Sequence, residues 1–391
     1  MPIFILFSRF PNITETICCY DENKKRPYKR KRKQEPVLTA KAPPIIPRGT
    51  GKETCLKNRT NEKTAWIVTG ASGHLGNVLV RKLLKQKEQV TGLLLPGEKP
   101  PVKGMRTVYG NLCEKESLRP LFSSGEKTVV IHCAGCVSIS SYDGLKLWNT
   151  NVLGTRNLVG LAEEYDAAKF IYVSSVHAIP ERENGAQITE IRDFNEDLVI
   201  GDYAKTKAVA TRYVLREAAS GFPACTVHPS GLLGPYDMGA GQMTRLLRLF
   251  LKRLLPAAVE GGYDFADVRD VADGILACCE RGETGESYIL SGCYYSIREF
   301  LDLAAQAAHI PSVSFCLPRS AAGTLAAVSD RLSHSLGRST IFTPYSIYTL
   351  GSNSNFSHQK ASECLGYQTR SKEETVRDMV SWTVRRDCRT K

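Results

Sequence analysis

Tyr203 and Lys207 stand four residues apart in Tyr203-Ala204-Lys205-Thr206-Lys207, inside a stretch, 202–219, whose pattern predicts a helix. Residues at that spacing share one helix face, so the phenol and the ammonium point the same way. A phenol in water has a pKa near ~10 and exchanges protons poorly at neutral pH. A neighbouring ammonium stabilises phenolate and brings it toward working pH. Taken alone, Tyr-x-x-x-Lys reads equally as a surface tyrosine beside a solvated lysine. Ser174-Ser175 follows the apolar run Lys169-Phe170-Ile171-Tyr172-Val173. A serine at a strand end can hydrogen-bond a carbonyl oxygen as negative charge grows on it. Serines also simply end strands and begin turns.

Groups of this kind need a sheet to hold them. Thr69-Gly70-Ala71-Ser72-Gly73-His74-Leu75-Gly76 follows the apolar run 65–68 and leads into the helical pattern Val78, Leu79, Val80, Leu83, Leu84. Strand, glycine turn and amphipathic helix form the first unit of a dinucleotide-binding sheet. Gly70 lets the chain reverse, Gly73 lets backbone approach a pyrophosphate, and Gly76 lets helix and strand pack closely. Free amides at the helix start then face the phosphates. A tight turn without a ligand is the competing reading of the loop by itself.

The chain beyond residue 63 alternates. Strands are expected near 64–69, 89–95, 105–109, 128–133, 169–174 and 224–228. Helices are expected near 74–86, 143–165 and 202–219, with a short one ending near Phe122. Alternation with short loops indicates α/β architecture: a Rossmann-type, doubly wound parallel sheet. After Gly231 the rhythm breaks into a basic amphipathic helix over 244–255, a helix over 267–280 and a strand over 287–291 that rejoins the sheet. The remainder reads as mainly helical, with loops around 311–318 and 338–357. The organisation expected is a leader (1–62), a dinucleotide-binding domain (63–230, joined by 264–292) and a smaller, mainly helical substrate-binding lobe (231–263 and 293–391) that closes over the strand ends.

Glycine loop, strand-end serine and Tyr-x-x-x-Lys in this order resemble the short-chain dehydrogenase/reductase superfamily. The likeness is to its extended or atypical branch, which includes dihydroflavonol reductases, 3β-hydroxysteroid dehydrogenases and NAD-dependent sugar epimerases/dehydratases. It runs from about residue 64 to the C-terminus. Thr69–Gly76 matches TGxxGxxG, Gly110-Asn111-Leu112 stands where Gly-Asp-Leu is usual, and His132-Cys133-Ala134-Gly135 is similar to His-x-Ala-Ala. Asn151-Val152-Leu153-Gly154-Thr155-Arg156-Asn157 fits the branch's helix motif, and His228-Pro229 through Gly234-Pro235 resembles its Arg-Pro-x-x-x-x-Gly-Pro. Asp267-Val268-Arg269-Asp270-Val271-Ala272 and the closing stretch Lys360–Tyr367 with Trp382 fit as well.

The resemblance implies that Tyr203 is the general acid/base and that Lys207 lowers its pKa and binds the nicotinamide ribose. Ser175 would bind the substrate oxygen, with Ser174 as the alternative one register away. Cofactor contacts would come from Gly70, Ser72, Gly73, His74, Leu75, Gly76, Asn111, Leu112, Cys133, Ala134, Gly135, Asn151, Tyr203, Lys207 and Pro229. Two positions depart from the branch: His228 replaces Arg and Asn111 replaces Asp. The function implied is an NAD(P)-dependent reductase or dehydrogenase acting on a small carbonyl or alcohol. A nucleotide-sugar epimerase/dehydratase is the alternative, with Arg245, Arg248 and Lys252 available for a diphosphate. A non-catalytic NAD(P)-binding regulator is a third. The branch often forms homodimers through helices equivalent to 143–165 and 202–219.

An acidic residue about 20 positions past the glycines would bind the ribose of NAD, and an arginine would favour NADP. Leu95 occupies that place, followed by Pro96-Gly97-Glu98-Lys99. Glu98 or Lys99 could reach the ribose, and the missing strand-end carboxylate leans the reading slightly to NADP.

Of 391 residues, 42% are hydrophobic, enough for a sizeable core. The net charge of +12 is concentrated early: residues 1–63 hold fifteen Lys/Arg against six Asp/Glu, which leaves +3 for the rest. The near-neutral remainder gives no case for nucleic-acid binding by the folded part. Lys24 to Lys33 is a self-repelling basic block, followed by Ala42-Pro43-Pro44-Ile45-Ile46-Pro47. It reads as a disordered extension, or as a nuclear-localisation or polyanion-binding arm. Met1–Phe7 is too short to span a bilayer and lacks a preceding basic region, so a soluble, cytoplasmic protein is expected. Thirteen scattered cysteines fit a reduced compartment rather than a disulfide scaffold. Cys133-Ala134-Gly135-Cys136 has zinc-like spacing but no second pair, so no metal is expected.

Overall fold

The computed structural model describes residues 64–138, 143–238, 241–336 and 340–389. The leader, 1–62, lies outside the described residues. From Thr64 the order is β1 (Thr64–Thr69), α1 (His74–Lys85), β2 (Gln89–Leu94), β3 (Arg106–Tyr109), α2 (Lys115–Leu118), β4 (Lys127–His132), α3 (Gly144–Trp148), α4 (Gly154–Glu164), β5 (Lys169–Val173), α5 (Asp202–Ala219) and β6 (Ala224–Pro229). It continues with β7 (Gly231–Leu233), α6 (Gln242–Leu251), β8 (Ala258–Val259), β9 (Gly262–Asp267), α7 (Val268–Arg281), β10 (Ser287–Leu290), β11 (Cys293–Ser296), α8 (Ile297–Ala308), β12 (Cys316–Leu317), α9 (Arg319–Ser335), α10 (Pro344–Thr349), α11 (Gln359–Leu365) and α12 (Lys372–Arg389).

Seven strands form one sheet in the order β10-β6-β5-β4-β1-β2-β3. All six pairings are parallel. The runs that compose it are apolar because both faces are covered: Thr128 to His132 in β4 and all of β6 are buried. On one face α1, α7 and α11 pack Leu79, Leu83, Val271, Ile275 and Leu365 against the strands. On the other, α4 and α5 bury Leu158, Val159, Ala210 and Val214 against Phe170 and Tyr172. The strand order reverses between β1 and β4, which opens a crevice at their carboxyl ends.

Three expectations needed correction. The helix expected over 143–165 is interrupted by a π-type turn, Asn149–Leu153, between α3 and α4. The region after Gly231 is also less helical than expected. Short strands β7, β9 and β11 make a second sheet, and β8 pairs with β12. Strands of two to four residues carry too little alternation to be read from sequence. The loop expected over 338–357 contains α10, started by Thr343 and Ser346 in a reciprocal capping box. Around this second sheet, α6, α8 and α12 bury Leu247, Phe300, Leu301 and Val376. Among the described residues, no helix is long and apolar enough to cross a membrane.

Candidate active site

Gly70 has φ +66°, and a Cβ there would lie 2.9 Å from the backbone of Ala134 at the end of β4. A Cβ on Gly76 would lie 2.1 Å from the Gly70 carbonyl oxygen, so α1 touches the turn that precedes it. Gly73 donates to Gly70 O at 3.0 Å and opens α1 without a side-chain cap or an acidic residue in the first turn. The amides of His74, Leu75 and Gly76 therefore head an uncapped helix start, the donor set that suits a phosphate group. The side chain of His74 is used elsewhere: Nε2 donates to Pro235 O at 2.9 Å, while Asn77 donates to Tyr236 O at 2.8 Å. Only the backbone of His74 is left to face a ligand.

Leu95 ends its strand without a carboxylate, but Glu98 folds back to supply one. Ser72 Oγ and the Leu95 amide donate to Glu98 Oε2 at 2.8 and 3.0 Å. A carboxylate thus stands beside the glycine loop at the end of β2. The side chain of Asn111 accepts from Cys113 N at 3.1 Å, which holds the turn after β3, and Leu112 is buried.

Across the crevice a neutral histidine relay fixes the end of β4. Thr155 donates to Asn151 O at 2.7 Å and so accepts from His132 Nε2 at 3.0 Å. His132 Nδ1 then accepts from Thr69 Oγ1 at 2.7 Å, and that oxygen accepts from Ala134 N at 3.1 Å. Burial first, then the charge of Lys207, pushes the His132 pKa down to about 3, so the ring stays neutral. Asn151, in the π-type turn, accepts from Cys136 N at 2.8 Å and donates to Cys136 O and to Thr206 Oγ1 of α5. A Cβ on Gly135 would meet Asn151 Oδ1 at 3.1 Å and Lys207 Nζ at 3.5 Å. Burial raises the Cys133 thiol to about 12, so it is protonated at neutral pH. Glycines at 70, 73, 76 and 135, with backbone donors between them, fit a dinucleotide lying across the sheet switch.

Gly201 (φ +92°) turns the chain into α5, which presents Tyr203 and Lys207 one turn apart. Lys207 Nζ donates to Val173 O at 2.8 Å and lies 4.9 Å above the centroid of the Tyr172 ring. Burial lowers the Lys207 pKa to about 8. Burial also raises that of Tyr203 to about 12, the reverse of the lowering expected from Lys207, with the neighbouring Ser175 opposing the rise. The two serines divide. Ser174 Oγ is 2.6 Å from Thr211 Oγ1 in the interior of α5, whereas Ser175 accepts from His177 N at 3.2 Å and stands beside the Tyr203 hydroxyl. His228 stacks on Phe194 at 5.1 Å and donates from Nδ1 to Ser175 O at 3.1 Å, so it braces the serine. Pro229 follows it, buried at the end of β6.

The three basic residues considered for a diphosphate lie on or just after α6. Arg248 pairs with Asp387 of α12 at 3.3 Å, and Arg245 is half-buried. Sequence reasoning missed His177, Tyr263 and Tyr345. His177 stacks on Tyr263 and meets the edge of Tyr203. Its place two residues after Ser175 was the only signal available.

Residues 66–291 match the model of the NAD dependent epimerase/dehydratase family, and the chain belongs to that family. It is 28% identical over 327 residues to sterol demethylase protein B of Methylococcus capsulatus, covering 81% of this chain and 97% of that protein. A Synechocystis protein provisionally named dihydroflavonol 4-reductase is 29% identical over 327 residues, covering 81% and 94% of the two chains. The solved structure of gox2253 superposes with a TM-score of 0.71 at 29% identity, over 83% of this chain and 99% of that one.

Proposed function

We propose that this chain is an NAD(H)-dependent oxidoreductase of the extended short-chain dehydrogenase type. It interconverts a carbonyl and an alcohol on a small molecule. The observation that carries this reading is the convergence of Ser175, Tyr203 and Lys207 at the carboxyl end of β5, beside a glycine-built cradle. When bound, the nicotinamide supplies or accepts the hydride. Tyr203, held protonated at neutral pH, donates its proton to the substrate oxygen in the reducing direction. Ser175 bonds the same oxygen, and the Lys207 ammonium offsets the charge left on the phenolate. Val173 O and the face of Tyr172 hold that ammonium in place.

The geometry of Glu98 supports NAD(H) against the slight lean to NADP drawn from Leu95. A carboxylate at the end of β2 accepts from ribose hydroxyls and repels a 2′-phosphate. Both bonds it receives from Ser72 and Leu95 fall on Oε2, which leaves Oε1 for a ribose hydroxyl. The function is tested with a nicotinamide cofactor deuterated at its transferring carbon and a panel of ketones. Label recovered on the carbinol carbon is the expected result. Cofactor binding without label transfer to any ketone would support the regulator reading instead.

A further inference from the structure

Three tyrosines from separate parts of the chain converge on His177. The residue sits in the 3-10 turn Val176–Ala178 that leaves β5. Tyr263 of β9 stacks flat on the imidazole, with centroids 5.4 Å apart and planes 9° apart. Tyr203 meets it edge-on at 6.0 Å and 74°, and Tyr345 of α10 lies 6.0 Å away at 48°. Each ring nitrogen faces a phenol: Nε2 is 3.4 Å from Tyr263 Oη and Nδ1 is 3.3 Å from Tyr345 Oη. Burial keeps the imidazole neutral, with one N–H and one lone pair. One tyrosine donates to it and the other accepts from it, so the two hydrogen bonds are coupled through the ring.

The position of Tyr345 is strongly determined. Its ring rests on Gly201, where a Cβ would come within 2.6 Å. Tyr348 of the same helix bonds Glu181, whose other oxygen accepts from Asn353 N at 3.1 Å. Ile188 and Asn355 close the seam through a backbone bond of 2.8 Å. Tyr263 is buried, while His177, Tyr203 and Tyr345 are each mostly buried with a part left exposed, so the first backs the wall. The side chains of His177, Tyr263 and Tyr345 carry no positive charge, and the Glu181 carboxylate bonded to Tyr348 would repel a diphosphate.

We infer that His177 is a specificity-determining residue: it fixes Tyr345 and Tyr263 as an aromatic wall facing Tyr203, and the wall selects a flat, apolar ring ketone or ring alcohol. This rests on the carbonyl/alcohol reading proposed above. A planar ring laid on Tyr345 and His177 gains stacking that an open-chain ketone does not, and its oxygen reaches Ser175 and Tyr203.

The test compares tetralone, a fused-ring ketone, with butanone, using wild type, His177→Phe, Tyr345→Ala and Tyr345→Phe. Tetralone binding is measured separately by calorimetry in the presence of oxidised cofactor. Wild type is expected to favour tetralone by about 10-fold or more in kcat/KM. Tyr345→Ala should lose most of that preference through KM, with kcat within about twofold. His177→Phe, which keeps a ring but loses both bonds, should lose roughly 3-fold. Tyr345→Phe keeps the ring and should retain more of the preference than the alanine variant, a rescue that general misfolding would not produce. Equal use of both ketones by wild type, or an unchanged preference in Tyr345→Ala, overturns the wall while leaving hydride transfer intact. Tetralone binding that weakens in Tyr345→Ala without turnover of either ketone would sustain the wall and sink the hydride-transfer reading. Neither binding nor turnover of tetralone overturns both.

Discussion

The two sides of the crevice are built from opposite materials. The cofactor side is made of backbone and missing side chains: Gly70 and Gly76 each leave no room for a Cβ against neighbouring backbone. The substrate side is made of large side chains, His177, Tyr263 and Tyr345, brought together from the turn after β5, from β9 and from α10. Close backbone approach has no tolerance, because neither neighbour can rotate away. A wall of aromatic rings yields in steps, since each ring contributes a separate contact. The same crevice should therefore fail abruptly on one side and gradually on the other.

Substitutions can break that contrast. The largest effect is expected at Gly76→Ala, where the new methyl group would meet the Gly70 carbonyl at 2.1 Å. Overpacking against backbone should cost about 3 kcal/mol or more, measured by chemical denaturation. A loss below about 1 kcal/mol would show that the α1 contact is softer than described. Next comes Glu98→Ala, expected to shift the ratio of NAD to NADP affinity by roughly 10-fold or more toward NADP. An unchanged ratio in calorimetry would remove Glu98 from ribose recognition.

A pH profile sharpens the contrast further, through Lys207 on the cofactor side. Its pKa is lowered to about 8 by burial, so the ammonium is present below that pH and lost above it. Ketone reduction should hold steady at neutral pH and decline as pH rises through about 8. Lys207→Arg, which stays charged, should remove that decline even at reduced rate. A wild-type profile flat to about pH 10 would contradict the assignment. The smallest effect is expected at Thr343→Ala, which removes the cap of α10. The loss is about 1 kcal/mol of stability by thermal or chemical unfolding, with cofactor affinity unmoved.

How much was legible follows from the same division. Tyr203 and Lys207 lie one turn apart on one helix, so spacing alone placed them on one face. The glycine loop was legible because strand, turn and helix are contiguous. The choice between Ser174 and Ser175 was not, since it depends on Thr211, 37 positions away. Nor was the carboxylate at the end of β2, because Glu98 reaches it only by folding back across a turn onto Ser72. The bond between His177 and Tyr345 spans 168 positions and leaves no local pattern. The π-type turn at Asn149–Leu153 was hidden because its residues are as helix-compatible as their neighbours; the side chain of Asn151 is spent on Cys136 and Thr206 across the crevice.

The central claim is that Tyr203 moves the proton in a hydride-transfer reaction. Its most direct test is Tyr203→Phe, with turnover and cofactor affinity measured on the same preparation. The phenylalanine keeps the ring that packs edge-on to His177 and removes only the hydroxyl. A fall in kcat of about 10²- to 10⁴-fold with cofactor affinity little changed is the predicted result. Turnover within about twofold of wild type would contradict the account, because proton transfer would then have to come from another group.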